Sequence, residues 1–233
     1  MIWNVPRMWE GGECWIIGGG PSIPYEFGVP EELITAVQTG VAPISEYSPY
    51  LSPIHDKHVI GINAAFLLGN WMDLIFFGDS GFYWKNKRAL AAYPKPKVTC
   101  AKSLEVEGPK TGVKYVPKHG GKPRGISAKK NHVSWNVNSG FASFSLAYDL
   151  GVKKIYLLGF DMALGEHGNQ HWHRHYMPPG EKKNPKKLPF HRHMSGMSYI
   201  MKDLKHLDLE IINVSQSSKI KEFEKRTVKE ILG

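Results

Sequence analysis

The chain has no apolar run of about 18 residues, so no transmembrane helix is expected. Its opening residues, MIWNVPRMWEGGE, hold no apolar core of the signal-peptide kind, and a cytoplasmic protein is the simplest expectation. There are only 2 cysteines, Cys14 and Cys100, which excludes a disulfide framework. Both fall in expected strands and read as reduced core residues. The dinucleotide pattern G-x-G-x-x-G is missing, since Ile23 stands where the third glycine would be. No Gly-Lys-Ser/Thr follows a glycine loop, so there is no Walker A motif. Acidic residues are also short: 21 Asp and Glu against 30 Lys and Arg leave a net charge of +9. That excess favours polyanionic partners without choosing among nucleotides, nucleic acid and anionic membrane surfaces.

What is present reads as an α/β chain. At 233 residues and 42% hydrophobic content, one sizeable core is expected, with 1–233 as a single nucleotide-binding domain. Apolar runs suggest strands at 14–17, 58–62, 73–78, 97–101, 113–116, 154–159 and 209–214. Helical spacing suggests helices at 30–39, 80–92, 139–150, 195–206 and 219–231. The alternation predicts a doubly wound, mostly parallel, Rossmann-like sheet with helices on both faces.

Polar and glycine residues gather where these strands end. Gly18, Gly19, Gly20 and Ser22 follow the first strand, where glycines would let backbone N–H groups approach a phosphate. The other reading of the loop is a tight strand-to-loop turn. Asn63 ends the second strand, and Asp79, Ser80 and Gly81 end the third. Asn138, Ser139 and Gly140 open the 139–150 helix, with Ser139 as its expected cap and Gly151 at its end. Asp161 ends the strand IYLLGF. Ligands of open α/β sheets bind at the carboxyl ends of strands, which makes this set a candidate small-molecule site.

Basic residues concentrate in 114–130 and 181–193, which read as mobile loops that are either solvated or in contact with a polyanion. Neither carries the interleaved aromatics of a single-strand stacking platform. Residues 162–192 form a long insertion, expected to be a lid that is mobile without ligand. It holds many of the 11 histidines. His171, His173 and His175 share one side of an extended segment, so they could bind a metal, act as bases or contact phosphate. His167, Arg174 and Arg192 are further phosphate candidates. His193, expected just before a helix opened by Ser195, is the favoured general base, with His191 second.

In their order, Ile16–Ile23, Ile62-Asn63, Phe76–Gly81, Ser139-Gly140 and Leu158–Asp161 resemble bacterial sialyltransferases of the family that includes the Campylobacter lipo-oligosaccharide enzymes. They equally resemble the domain of unknown function 115 group. That group includes flagellin glycosyltransferase-like proteins and archaeal hydroxymethylpterin pyrophosphokinases. Gly159-Phe160-Asp161-Met162-Ala163 is nearest to the second group's signature. The resemblance implies a nucleotide site: the glycine loop holds phosphate, and Asn63 and Asp79–Gly81 hold the nucleoside. Ser139, Gly140 and Asp161 then face the donor, and a histidine near 191–193 acts as base. Two positions depart from the sialyltransferase pattern: Ala163 stands where that family has Tyr, and Asp79 where it has Asn.

Three functions follow as expectations. The first is glycosyl transfer from a nucleotide sugar to an acceptor hydroxyl, the acceptor being a modified nucleic acid, as in DNA modification, or an anionic glycan. The second is ATP-dependent pyrophosphoryl transfer to a small alcohol, with Mg²⁺ held by Asp79 and Asp161. The third is a non-catalytic nucleic-acid-binding module, supported by charge alone. The sequence leaves the oligomeric state open.

Overall fold

The computed structural model describes residues 2–173 and 188–233. Eight strands form one sheet: β1 (Glu13–Ile17), β2 (Val59–Ile62), β3 (Leu74–Phe77), β4 (Lys97–Thr99), β5 (Val113–Tyr115), β6 (Lys154–Leu158), β7 (Glu210–Asn213) and β8 (Glu224–Lys225). Their order is β5-β4-β3-β2-β1-β6-β7-β8, and every pair is parallel. Strand β1 is central, its Ile17 beside Leu158 of β6 on one side and Gly61 of β2 on the other.

Alternation along the strands divides the core in two. Cys14, Ile16, Ile60, Phe76, Ile155 and Leu157 face one layer. Trp15, Ile17, Val59, Ile75, Phe77 and Leu158 face the other. The first layer is covered by α4 (Ser139–Asp149) and α6 (Met197–Leu204), which bury Phe141, Phe144, Met197 and Ile200. The second is covered by α2 (Glu31–Thr39), α3 (Ser80–Ala92) and the 3₁₀ segment Ile44–Ile54. Helices therefore lie on both faces, as expected of a doubly wound sheet. Short helices α1 (Ile23–Glu26), α5 (Phe190–Met194) and α7 (Val228–Leu232) lie among the described residues as well. Both cysteines are buried and unbonded, and burial pushes the Cys100 thiol up to about 12. No described helix is long and apolar enough to cross a membrane.

Three expectations need correction. The helix expected over 219–231 is replaced by an extended run that adds the short strand β8, followed by α7. Ile220 and Phe223 are buried in one layer, whereas Val228 and Ile231 pack against the other. One helical stripe cannot serve both faces of a sheet, so the chain crosses the sheet edge instead. The helix expected from Ser195 begins at Met197: Ser195 caps the end of α5 and Gly196 precedes α6. The stretch 114–130, expected to be mobile, is anchored. Asn136 accepts from Gly125 N–H (2.7 Å) and donates back to Gly125 C=O (2.8 Å). Asp203 accepts from Ile126 N–H, Ser145 Oγ accepts from Ser127 N–H, and Ile126 is fully buried. Side-chain clamps of this kind leave no trace in local composition.

Candidate functional site

From β1 the chain winds outward through β2 to β5, and then returns to build β6 to β8 on the other side of β1. The loops leaving β1 and β6 therefore part at the carboxyl edge, the place where open α/β sheets form a crevice. A cleft of about 420 Å³ lies there. Its volume is within the range of small-molecule sites.

Glycines 18–20 form one wall, but not in the manner the sequence suggested. Gly18 N–H donates to Leu158 C=O and Gly20 N–H to Gly159 C=O, both at 2.7 Å. Ser22 N–H points to Asp161 Oδ2 at 3.4 Å, and Pro21 has no N–H. Among the described residues, only Gly19 N–H in this loop lacks an acceptor. The glycines serve chiefly to let the two loops approach. An ideal Cβ on Gly18 would lie 2.6 Å from Gly159 O, and one on Gly20 would lie 1.7 Å from Asp161 Oδ2.

Asp161 is 2% exposed. Its Oδ1 accepts from Ser217 Oγ at 3.0 Å, so the carboxylate joins the loops after β1, β6 and β7. Burial raises its pKa, against the opposing pull of hydrogen bonds from Ser22 and Ser217. Ser22, a candidate ligand residue, instead stands behind the wall: it is buried, and its Oγ donates to Ser215 Oγ at 2.9 Å.

The first turn of α4 forms the floor. Asn138, not Ser139, caps it, its Oδ1 accepting from Gly140 N–H (2.8 Å) and Phe141 N–H (3.3 Å). Ser139 Oγ accepts from Gly78 N–H at 3.2 Å, which ties α4 to the end of β3. No described group accepts from Ser139 N–H, so this helix end offers one open donor and its positive dipole to the cleft. Trp135 fills the space above Gly78, where a Cβ would meet its ring at 1.8 Å.

Asn63 and Asp79 border the side nearest β2 and β3. Asn63 Oδ1 is buried and no described group donates to it. Its backbone is left-handed, with φ of 52°. Val137 (φ 56°) and Met162 (φ 51°) are left-handed as well and line the same cleft. Such conformations cost roughly 1–3 kcal/mol each and gather at functional sites. For the β-branched Val137 the conformation is a true outlier.

The opposite rim carries Arg192 and three histidines, His171, His173 and His193. Trp172 is fully buried, with Nε1–H donating to Gly18 C=O at 3.0 Å. His171 Nδ1 is 3.0 Å from Gly19 C=O, and its ring stacks on His173 at 5.1 Å. The segment 170–173 is thus packed against the glycine loop, while 174–187, including Arg174 and His175, lies outside the described residues. Among the described residues no group of three or more His, Cys, Asp or Glu gathers as metal ligands do. His193 and Arg192 reach the cleft from within α5 rather than from a helix start.

Of the residues chosen from sequence, Gly18, Gly19, Gly20, Asn63, Asp79, Asn138, Ser139, Gly140, Asp161, His171, His173, Arg192 and His193 line one cleft. Ser80 and Gly81 lie in the first turn of α3, outside the lining. His191 is exposed on α5 and also outside it. His167 pairs with Glu31 of α2 at 2.9 Å, on the surface. The aromatic walls Trp135, Phe160 and Phe190 were missed. Phe160 directly precedes Asp161 and Phe190 directly precedes His191, but nothing in the pattern marks their inward orientation. No family model matches the chain, and no curated protein or solved structure matches it.

Proposed function

We propose that the chain is a glycosyltransferase that moves a sugar from a nucleotide-sugar donor to an acceptor hydroxyl. The reading rests on one observation: the cleft is divided by chemistry. Toward β2 and β3 it is lined by the polar side chains of Asn63 and Asp79, suited to the hydroxyls and amines of a nucleoside. Toward β6 and α5 it presents Arg192, His171, His173 and His193, with the α4 N-terminus below, suited to phosphate. A nucleotide matches both halves.

In this reading His193 takes the proton of the acceptor hydroxyl as its oxygen bonds to the anomeric carbon. The bond from that carbon to phosphate oxygen breaks, and the nucleotide leaves with the electron pair. Arg192 and the helix end would stabilise that charge, work that Ala163 cannot do. The pyrophosphokinase alternative needs Asp79 and Asp161 to share Mg²⁺. It has less support, because Asp161 directs both oxygens at Ser22 and Ser217. The test is incubation with CMP-, UDP- and GDP-sugars and chromatography of the released nucleotide. Donor-specific release that depends on His193 supports the reading. Release from ATP alone, requiring Mg²⁺, favours the alternative.

A further inference from the structure

The strap from Lys114 to His132, KYVPKHGGKPRGISAKKNH, holds Lys114, Lys118, Lys122, Arg124, Lys129 and Lys130 without one acidic residue. It is held in place by the Asn136, Asp203 and Ser145 clamps, so these charges occupy a fixed frame. Lys122 pairs with Asp203, and Arg124 donates to Ser195 C=O. Lys114, Lys118, Lys129 and Lys130 enter no ion pair among the described residues. His119 reports the resulting field: burial lowers its pKa, and Lys129, His132 and Lys122 lower it further.

The fold also supplies aromatic partners that the strap's own sequence lacks. Trp3, held on the edge strand β5 by its N–H to Tyr115 C=O, lies under the Lys114 ammonium at 5.2 Å. Trp135 lies under Lys118 at 4.2 Å. Trp135 also lines the cleft, so the strap runs directly to the cleft mouth. Two partly exposed indoles, each beside a lysine of the strap, supply elements of a single-strand nucleic-acid surface: cations follow the backbone and rings stack on bases. A phosphate that draws Lys118 or Lys114 off its ring frees that face for a base.

We propose that this strap binds a single-stranded nucleic acid and leads it to the cleft as the acceptor strand. Its role as acceptor rests on the transferase reading; the binding itself does not. The flat indole faces beside the lysines match nucleobases, and binding of an anionic glycan instead is an outcome the test separates.

The test is fluorescence anisotropy of the full chain with a labelled oligothymidylate of about 15 nucleotides, across a salt series. Comparison probes are an abasic strand of equal length, a duplex, and heparin. The proposal expects the oligothymidylate to bind more tightly than the abasic strand and the duplex. A variant with Lys114, Lys118, Lys129 and Lys130 all changed to Gln should bind at least about tenfold more weakly, with a log–log salt slope shallower by about 3. Its melting temperature and its nucleotide-induced thermal shift should be unchanged. Equal binding of the abasic strand or tighter binding of heparin overturns the proposal, as does an unaltered slope in the variant. Strand binding without any nucleotide-induced shift leaves the strap proposal standing and counts against the transferase reading alone.

Discussion

The Asp161 carboxylate occupies the space where a side chain on Gly20 would be, with Oδ2 1.7 Å from an ideal Cβ. The glycine loop and the end of β6 are therefore one interlocked unit. Gly20→Ala should destabilise the protein by more than the ~1 kcal/mol of an average substitution, because Asp161 must move from a buried, hydrogen-bonded position. Gly19 differs, since its Cβ would meet only the His171 ring, with Nδ1 at 3.0 Å and Cε1 at 3.6 Å. Gly19→Val should fold, displace the His171 ring and weaken nucleotide binding. Thermal melts of the two variants, each with and without nucleotide, check both statements. A stable Gly20→Ala protein would contradict the interlock.

Asp161 should also make stability fall as pH rises. Burial raises its pKa in the folded chain. Between the unfolded value, about 3.9, and the raised folded value, the native state holds more protons than the unfolded state. Stability from this group is complete below the unfolded value and is lost through that window. Asp161→Asn removes this ionisation, so urea melts from about pH 4 upward should show a flatter loss than the parent's. Identical pH profiles would mean that Asp161 is not the group responsible.

The parts of this architecture legible in sequence were those that depend on local pattern. The apolar runs at β1, β3 and β6 and the glycine and polar residues after them gave the sheet and much of the cleft. What failed depended on distant partners. Nothing in the local pattern marks Trp172 for burial, yet it is fully buried with its Nε1–H donating to the Gly18 carbonyl. Ile220, Phe223, Val228 and Ile231 looked like one helical stripe, but the pairs belong to opposite faces. The glycine loop was found, although its chief use is close packing rather than a row of free amides.

Val137 tests whether backbone strain at the cleft serves binding. Asn tolerates a left-handed backbone far better than a β-branched residue. Val137→Asn should therefore stabilise the chain by about 1 kcal/mol, raising Tm by roughly 2–4 °C. It should weaken the ligand, because Val137 lines the cleft. Calorimetric Tm and titration decide it; a lower Tm would show that the strain is offset by packing lost on substitution.

His193→Ala should lower turnover by roughly 10²–10⁴-fold with little change in donor affinity, and should remove one limb of the pH–rate profile. His191→Ala, at an exposed position outside the cleft, should leave both nearly unchanged. Steady-state kinetics of the two variants separate the roles. A reversed result would assign the proton transfer to His191.

The central claim is that the crevice between the β1 and β6 loops binds a nucleotide. A thermal-shift screen of the parent and Gly19→Val proteins against CMP, UDP, GDP, ATP and their sugar conjugates tests it most directly. At a ligand concentration about 100 times Kd, binding stabilises the native state by ~2.7 kcal/mol. A clear rise in Tm with one nucleotide family is expected in the parent, and little or none in a folded Gly19→Val protein. An equal rise in both proteins, or no rise with any nucleotide, would contradict it.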